Sequence, residues 1–556
     1  MIEAPATAAS EAPGQSAPAL VWAYRLFPVL LLPLMLVLSR DFGVTWDEKT
    51  HQLYGERVFR FLAAGQDDDW FRPGGDTLKI YLHGGFFDTV CVAAQKLLTD
   101  NIYVTRHYVG AAFGWLGIVY VGRLGRLLAG PGTGLLAMVM LALSPRYFGD
   151  SMNNPKDVPL AALLAAALYY MMRLSPRHPF VGWRAALGLV LTIGLAVSVR
   201  AGALLYLGYL AVALLGLTLA ARDFDPRRLA ATFASGVAVV VAVLLTGTLF
   251  WPWAQVIPLK RPIQGMLRLS EFRWDFPVLF DGRDVPASAL PWNYIPQWAL
   301  IVTPPVVMIG VVLAVAFLLI GRAPGSAATP HASPGRWRVL ALLGAAFFPG
   351  TYIVLSGATI YDGIRHLTFA YPPFVVLAAC GWLQLLRQPS PTLRKLAAAL
   401  LALGLLEPLV FQLRNHPNQS VYFNAFAGGP RGAFGRYELD YWGNSLLQGV
   451  EWVAGVARAS NTPLVVSGRP HHVVRDDMQL YSGLTFAREE EEAHQLEVIA
   501  LRGPRQDVLD LAQRPDVLHT VTTADGAPLT VVVPGPRYAE VEGQLQLSAP
   551  GQLKPR

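Results

Sequence analysis

The segment Thr45-Trp46-Asp47-Glu48-Lys49-Thr50-His51 puts two adjacent carboxylates a few residues after a long apolar run. Two acids beside a membrane boundary are costly to bury, so they face water, a partner or a substrate. A carboxylate so placed can accept the proton of an attacking hydroxyl, which makes Asp47 and Glu48 the candidate catalytic pair. The plain alternative is a solvated helix start, where the macrodipole favours acids. A second polar cluster runs from Ser144 to Asp157 and includes Arg146, Asp150, Asn153, Asn154 and Lys156. Asn, Pro and Gly build ordinary turns, yet a plain turn rarely needs so many groups able to bind a polyol. Asp150, Asn154 and Asp157 are the candidates for a second acidic or acceptor-binding site. Cations form the third set: Lys79, His83, Lys156, Arg200, Arg365 and His366. A centrally buried Arg costs about 2.5–3.5 kcal/mol on insertion scales, which disfavours idle placement, although snorkelling to lipid head groups is the competing use. Arg forks and Lys point charges suit an anionic phosphate.

The elements that must position these residues are membrane helices. Of 556 residues, 53% are hydrophobic and 15% charged, against roughly 25% charged in ordinary domains. That composition excludes a disordered chain and makes one soluble core improbable. Two distant cysteines, Cys91 and Cys380, exclude a disulfide scaffold and a CxxC metal site. The net charge of +7 follows loop arginines and does not point to nucleic acid.

A bilayer core needs roughly 17–25 apolar residues per helix. Eleven runs are candidates, near 22–39, 105–122, 133–148, 157–173, 184–199, 202–220, 230–250, 297–321, 339–356, 368–386 and 396–413. The first lacks a small-x-small cleavage site and reads as an anchor rather than a signal peptide. Ala/Pro-rich residues 1–20 read as disordered. Arginine clusters at 123–126, 173–184, 222–228, 322–338 and 387–395 fall in alternate loops, so these loops are expected in the cytoplasm. The N-terminus is then cytoplasmic, and the 40–104 loop and the tail after 413 face outward. The chain divides into a 1–20 segment, a 21–413 transmembrane domain and a 414–556 extracytoplasmic domain. In that tail, strand-length runs at 463–466, 498–501 and 529–533 alternate with helical patterns at 445–458 and 506–513, and Asp525-Gly526 is a turn signal. The fold class expected is a polytopic α-helical membrane protein with a small C-terminal α/β domain.

Carboxylates and fixed cations thus converge on one outer membrane face, and a lipid-phosphate-linked sugar would use both. At this point the chain resembles a known group. The span order, Asp47-Glu48 after the first span, Asn153-Asn154-Pro155-Lys156-Asp157, Tyr361-Asp362-Gly363-Ile364-Arg365-His366 and Tyr437-Glu438-Leu439-Asp440-Tyr441-Trp442-Gly443 are similar to the bacterial family 39 glycosyltransferases. These are of the C superfamily of membrane glycosyltransferases, related to protein O-mannosyltransferases and lipid A aminoarabinose transferases. The likeness covers roughly 20–450. It implies an inverting transfer from a polyprenyl-phosphate sugar to an acceptor on the outer face of the bacterial inner membrane. By that resemblance Asp47 is the catalytic carboxylate and Glu48 assists. Asp150 or Asp157 matches the second acidic position. Lys79 stands where relatives carry Lys-Pro-Pro-Leu, here departing to Lys79-Ile80-Tyr81-Leu82. The departing lipid phosphate needs no general acid, and a single displacement needs no second nucleophilic carboxylate. A monophosphate donor can be held by cations alone, so no metal or other cofactor is expected. Expected partners are the donor, a lipid, glycan or protein acceptor, and membrane lipids.

Asp67-Asp68-Asp69 fits a metal-nucleotide Asp-x-Asp pattern but reads better as an acidic turn. There is no P-loop and no HExxH. His471-His472 could bind a metal but reads better as a solvated loop, the sequon Asn418-Gln419-Ser420 reads as a chance match, and Glu489–Glu492 as a solvated face. The competing class is a lipid or polyol transporter or flippase, which would hold its ionisable residues near the midplane in broken, repeated helices.

Overall fold

The computed structural model describes residues 18–75, 79–98, 101–175, 177–271, 274, 276–322, 334–487 and 493–545. The expected disordered N-terminal segment (as far as residue 17) and the Glu489–Glu492 run lie outside the described residues. Among those described, seven helices are long and apolar enough to cross a membrane: Pro18–Asp41, Ile102–Ala129, Ala201–Ala221, Pro226–Thr248, Trp337–Ser356, Arg365–Leu386 and Pro391–Arg414. An eighth span is broken, with Tyr294–Val302 and Pro305–Leu319 meeting at 114°. Leu30, Val37, Leu215, Leu219, Leu355, Leu403 and Leu413 on these helices are exposed. Such a belt on a folded chain is the surface offered to lipid.

The count of eleven spans is not confirmed by length and composition, which give seven or eight among the described residues. Every apolar run became helix, but those at 133–148, 157–173 and 184–199 form Pro131–Ala142, Asp157–Met171 and Trp183–Val197, too short to meet the length for a span. At about 1.5 Å per residue, the longest of these reaches well under the roughly 30 Å of hydrocarbon. Their apolar length serves helix–helix packing to different degrees, for Trp183–Val197 still exposes Trp183, Leu187 and Leu191. Asp157–Met171 is buried along nearly its whole length.

Seven elements build the site side of the bundle: α1 (Pro18–Leu38), α2 (Glu48–Ala64), α3 (Phe86–Gln95), α4 (Ile102–Ala129), α5 (Pro131–Ala142), α6 (Pro145–Asn153) and α7 (Asp157–Met171). Pro145 starts α6 at a position where its missing N–H costs nothing. A Cβ on Gly114 of α4 would lie 2.3 Å from the Ser151 side chain, so glycine lets α6 press flat against α4. Asn154 ends α6 and opens α7 together: its Oδ1 accepts from the amides of Lys156 (3.0 Å) and Asp157 (2.8 Å).

The tail carries a five-stranded sheet. Its strands are β3 (Leu464–Arg469), β4 (Leu484–Phe486), β5 (Leu496–Ala500), β6 (His519–Thr522) and β7 (Pro528–Pro534), in the order β4-β3-β5-β7-β6. A separate hairpin pairs β1 (Pro277–Phe280) with β2 (Arg283–Pro286). Strand β3 is parallel to β4 and β5, while β7 is antiparallel to β5 and β6. Alternation along the strands covers both faces. Val466, Val498 and Val532 pack with the helix Leu446–Ala459, and Ile499, Val531 and Val533 pack with Leu511 of the other helix, Arg505–Ala512.

Asn444 joins the tail to the bundle. Its Oδ1 accepts from Gly43 N (3.0 Å) and Asn153 Nδ2 (2.9 Å), and its Nδ2 donates to Pro417 O (3.0 Å) and Asn418 Oδ1 (2.8 Å). Asn444→Ala leaves several of these buried groups unpaired, at about 1–3 kcal/mol each. A clear fall in Tm of the detergent-purified protein is expected, against little change for an exposed control such as Arg514→Ala.

Candidate active site

Asp47 stands at the N-cap of α2, on a loop held from both sides. Val44 N donates to Asp477 Oδ1 (3.0 Å), Trp46 N donates to Trp442 O (3.3 Å), and His472 Nε2 lies 3.1 Å from Trp46 O. A Cβ on Gly43 would lie 2.7 Å from the Asn444 carbonyl oxygen, so only glycine allows the loop to approach so closely. The Asp47 side chain remains 32% exposed, which leaves it open to a substrate.

Two of the expected cations converge beside it, and a third sits on the neighbouring Asp157. Lys156 Nζ lies 2.8 Å and Arg365 Nη1 3.8 Å from Asp47 Oδ2. Arg365 Nη1 is also 3.6 Å from Asp157 Oδ2, and its Nε is 3.0 Å from Asp362 Oδ2. Arg200 Nη1 holds the other oxygen of Asp157 at 2.7 Å, and Asn154 Nδ2 donates to Asp157 Oδ2 (3.2 Å). The Arg365 guanidinium lies 5.1 Å from the ring centres of both Tyr361 and Trp442. Burial pushes the Asp47 carboxyl up, but Lys156, Arg365 and His51 outweigh it and hold it far below the usual range. Burial, then Lys156 and Arg200, push the His83 imidazole well down, which places His83 against the same set. His366 packs edge-on to Tyr361 at 4.8 Å. Thus Asp47, Asn154, Lys156, Asp157, Arg200, Arg365 and His83 share one site.

Glu48 does not join it. Thr45 N and Oγ1 donate to its Oε2 (2.9 and 3.2 Å), while Oε1 lies 3.2 Å from His107 Nε2 and 3.8 Å from Arg106 Nε. Arg106 also grips Asp88 Oδ1 (2.7 Å), whose Oδ2 meets His51 Nδ1 at 2.7 Å. Successive residues on a helix project about 100° apart, so the doublet cannot serve one cavity: Asp47 faces the cations and Glu48 the buried interior. Lys79 departs too. It is exposed, begins a turn at φ +54°, and forms no ion pair with Asp47, Asp150 or Asp157 among the described residues. Asp67 and Asp69 close their acidic turn on Arg72, and Asp68 pairs with Arg57 at 3.1 Å. Asn418 of the sequon is buried.

Asp150 lies behind Arg365, lining a cavity of about 70 Å³ with Arg146, Thr303, Pro304, Tyr371 and Tyr441. Burial, reinforced by Asp157, pushes its carboxyl up to about 7 against the pull of Arg146. Pro304 and Thr303 form the break of the bent span, so that break sits beside the first residue of the Arg365–Leu386 span, at a membrane end. Asp362, Glu438 and Trp442 lie in segments that carry the resemblance but receive no role in the site from it, and Arg502 is not singled out at all. Arg502 Nη2 pairs with Asp362 Oδ1 (2.7 Å), its Nη1 donates to Tyr441 O (3.0 Å), and it stacks 4.9 Å over Trp46. Burial, then Asp362, push Glu438 up to about 8.

Residues 95–251 match the family model described as dolichyl-phosphate-mannose-protein mannosyltransferase. That segment contains Asp150, Asn154, Lys156, Asp157 and Arg200, so the resemblance to the family 39 glycosyltransferases holds where the second half of the site is built. No curated protein matches the chain. Among solved structures it is similar to ArnT from Cupriavidus metallidurans in the apo state, at TM-score 0.48, 14% identity, 93% of this chain and 98% of that one. The same enzyme bound to undecaprenyl phosphate gives 0.48, 15%, 93% and 98%. The archaeal oligosaccharyltransferase AglB from Archaeoglobus fulgidus, in complex with an inhibitory peptide and a dolichol-phosphate, gives 0.46, 12%, 86% and 70%.

The raised Asp150 carboxyl makes a signed prediction. Its neutral form is the one the fold favours, so the associated stability is whole below about pH 4 and is lost as pH rises toward about 7. Asp150→Asn, which cannot ionise, should show a higher Tm than the parent at pH 8, the gap closing near pH 4. A gap that widens on acidification would contradict the assignment.

Proposed function

We propose that this chain is an inverting membrane glycosyltransferase that passes a sugar from a polyprenyl-phosphate donor to an acceptor hydroxyl. Lys156 and Arg365 converging on one oxygen of Asp47, with Arg200 on Asp157 alongside, is the observation that carries the reading. A phosphate and a hydroxyl to be deprotonated are the two groups this arrangement suits. The mannosyltransferase family match over residues 95–251 supports the same reaction class. In the bacterial inner membrane the site faces the periplasm, with the N-terminus cytoplasmic and the C-terminal domain outside. The acceptor is a lipid, a glycan or a protein.

The chemistry follows from charge. A carboxylate gripped by Lys156 and Arg365 is a weak base. An incoming donor phosphate competes for both cations, and as they turn to it the proton affinity of Asp47 rises. The acceptor hydroxyl loses its proton to Asp47 as its oxygen bonds to the anomeric carbon, and the bond from that carbon to the phosphate oxygen breaks. Charge growing on the departing phosphate is met by Lys156, Arg200 and Arg365, already fixed in place. Asp157 and Asn154 orient Arg200 and Arg365, while Glu48 anchors α2.

Asp47→Asn should leave undecaprenyl phosphate binding intact and reduce sugar transfer by at least about 100-fold, the lower range for losing a positioned base. Near-parental transfer removes Asp47 from the mechanism. Because side-chain cations hold the phosphate, transfer should persist in excess EDTA; abolition by EDTA with recovery on adding Mg²⁺ or Mn²⁺ would assign that role to a metal.

A further inference from the structure

The sheet domain reaches Asp362 just beyond the end of β5. Leu501 N donates to Leu529 O and Arg502 N to Ala500 O, both at 2.9 Å, so the backbone that carries Arg502 is tied to the sheet. Its guanidinium forks onto Asp362 and the Tyr441 carbonyl and covers the face of Trp46. Asp362 has φ +55° and is followed by Gly363 at φ +67°. Two successive left-handed residues form a turn that an L-side chain adopts only under constraint. The two oxygens of Asp362 are divided between the arginines, Oδ1 taking Arg502 and Oδ2 taking Arg365 Nε.

We propose that Arg502 is a positioning residue for donor binding, acting across the domain boundary by fixing Asp362 and through it the Arg365 guanidinium that faces Asp47 and Asp157. The inference rests on the donor-phosphate reading above. Among the described residues Arg502 pairs with neither Asp47 nor Asp157; it acts through Asp362 on Arg365, which meets both. Without it, Asp362 keeps one cation instead of two, and nothing from the sheet domain ties the 361–365 turn to the Trp46–Asp47 loop at this point. Arg365 then samples orientations in which its Nη1 no longer meets the phosphate. Glu438 sits in the same set: its proton affinity depends on Asp362, Arg502 and Arg365. The other charged groups around Arg365 include Asp47, Asp157 and Asp150, with Lys156 on Asp47 and Arg200 on Asp157.

The test uses the full-length protein in detergent with undecaprenyl phosphate as ligand and with sugar transfer as a second readout. Loss of a group that orients a ligating side chain costs about 10–100-fold in affinity at metal sites, and a loss of that order is expected for Arg502→Met. Arg502→Lys, which keeps the charge but not the fork, is expected to recover part of it. The decisive readout is a double-mutant cycle. If Arg502 works through Arg365, Arg502→Met should weaken binding in the parent but add nothing further in an Arg365→Ala background. Equal factors in both backgrounds overturn the proposal, as does unchanged affinity in Arg502→Met, or a loss that follows only a lowered Tm and is not relieved by Lys. Failure of the parent protein to bind the lipid phosphate overturns the donor reading itself, and this inference with it.

Discussion

The site depends on one cation held by more carboxylates than it can neutralise. Arg365 is shared among Asp47, Asp157 and Asp362, and it is buried. A buried charge of this kind is tolerated only where partners surround it, and removing one partner is costly. The architecture supplies each partner from a different element. Asp47 caps α2, Asp157 is the first residue of α7, and Asp362 occupies a strained turn before the Arg365–Leu386 span. Two helix N-termini therefore direct their positive ends at the same region, which favours an anion beyond what the side chains contribute.

The fold was largely legible because hydrophobic length is read directly from sequence. Each apolar run formed helix, and the strand-length runs at 463–466, 498–501 and 529–533 lie in β3, β5 and β7. The number of spans was not legible. Asp157–Met171 is as apolar as a short span, and only its burial among α4 and the neighbouring helices shows that it faces protein rather than lipid.

The site divides in the same way. Asp47, Lys156, Asp157, Arg200 and Arg365 were found because charges beside apolar runs are conspicuous. Glu48 and Lys79 satisfied that test but were directed elsewhere, one by helical geometry and the other by a turn. Arg502 was missed for the opposite reason. In a tail rich in arginine it had no distinguishing neighbours, and its relation to Asp362 spans 140 residues of sequence. Long-range pairing between separate packing units leaves no local signal. Trp442 lies in the Tyr437–Gly443 segment that carries the resemblance, but its contact was not legible there: its ring faces Arg365 because Asp440 builds the turn beyond it, accepting from the amides of Gly443, Asn444 and Ser445.

The proposed reaction requires a change of partners: the cations paired with Asp47 would leave it for the phosphate of the proposed donor. A cryo-electron microscopy structure of the protein with undecaprenyl phosphate bound measures this directly. Phosphate density within hydrogen-bond distance of Lys156 and Arg365, with Asp47 released from both, is the result the account predicts. Phosphate bound elsewhere, or Asp47 still gripped by the two cations beneath a bound lipid, would contradict it.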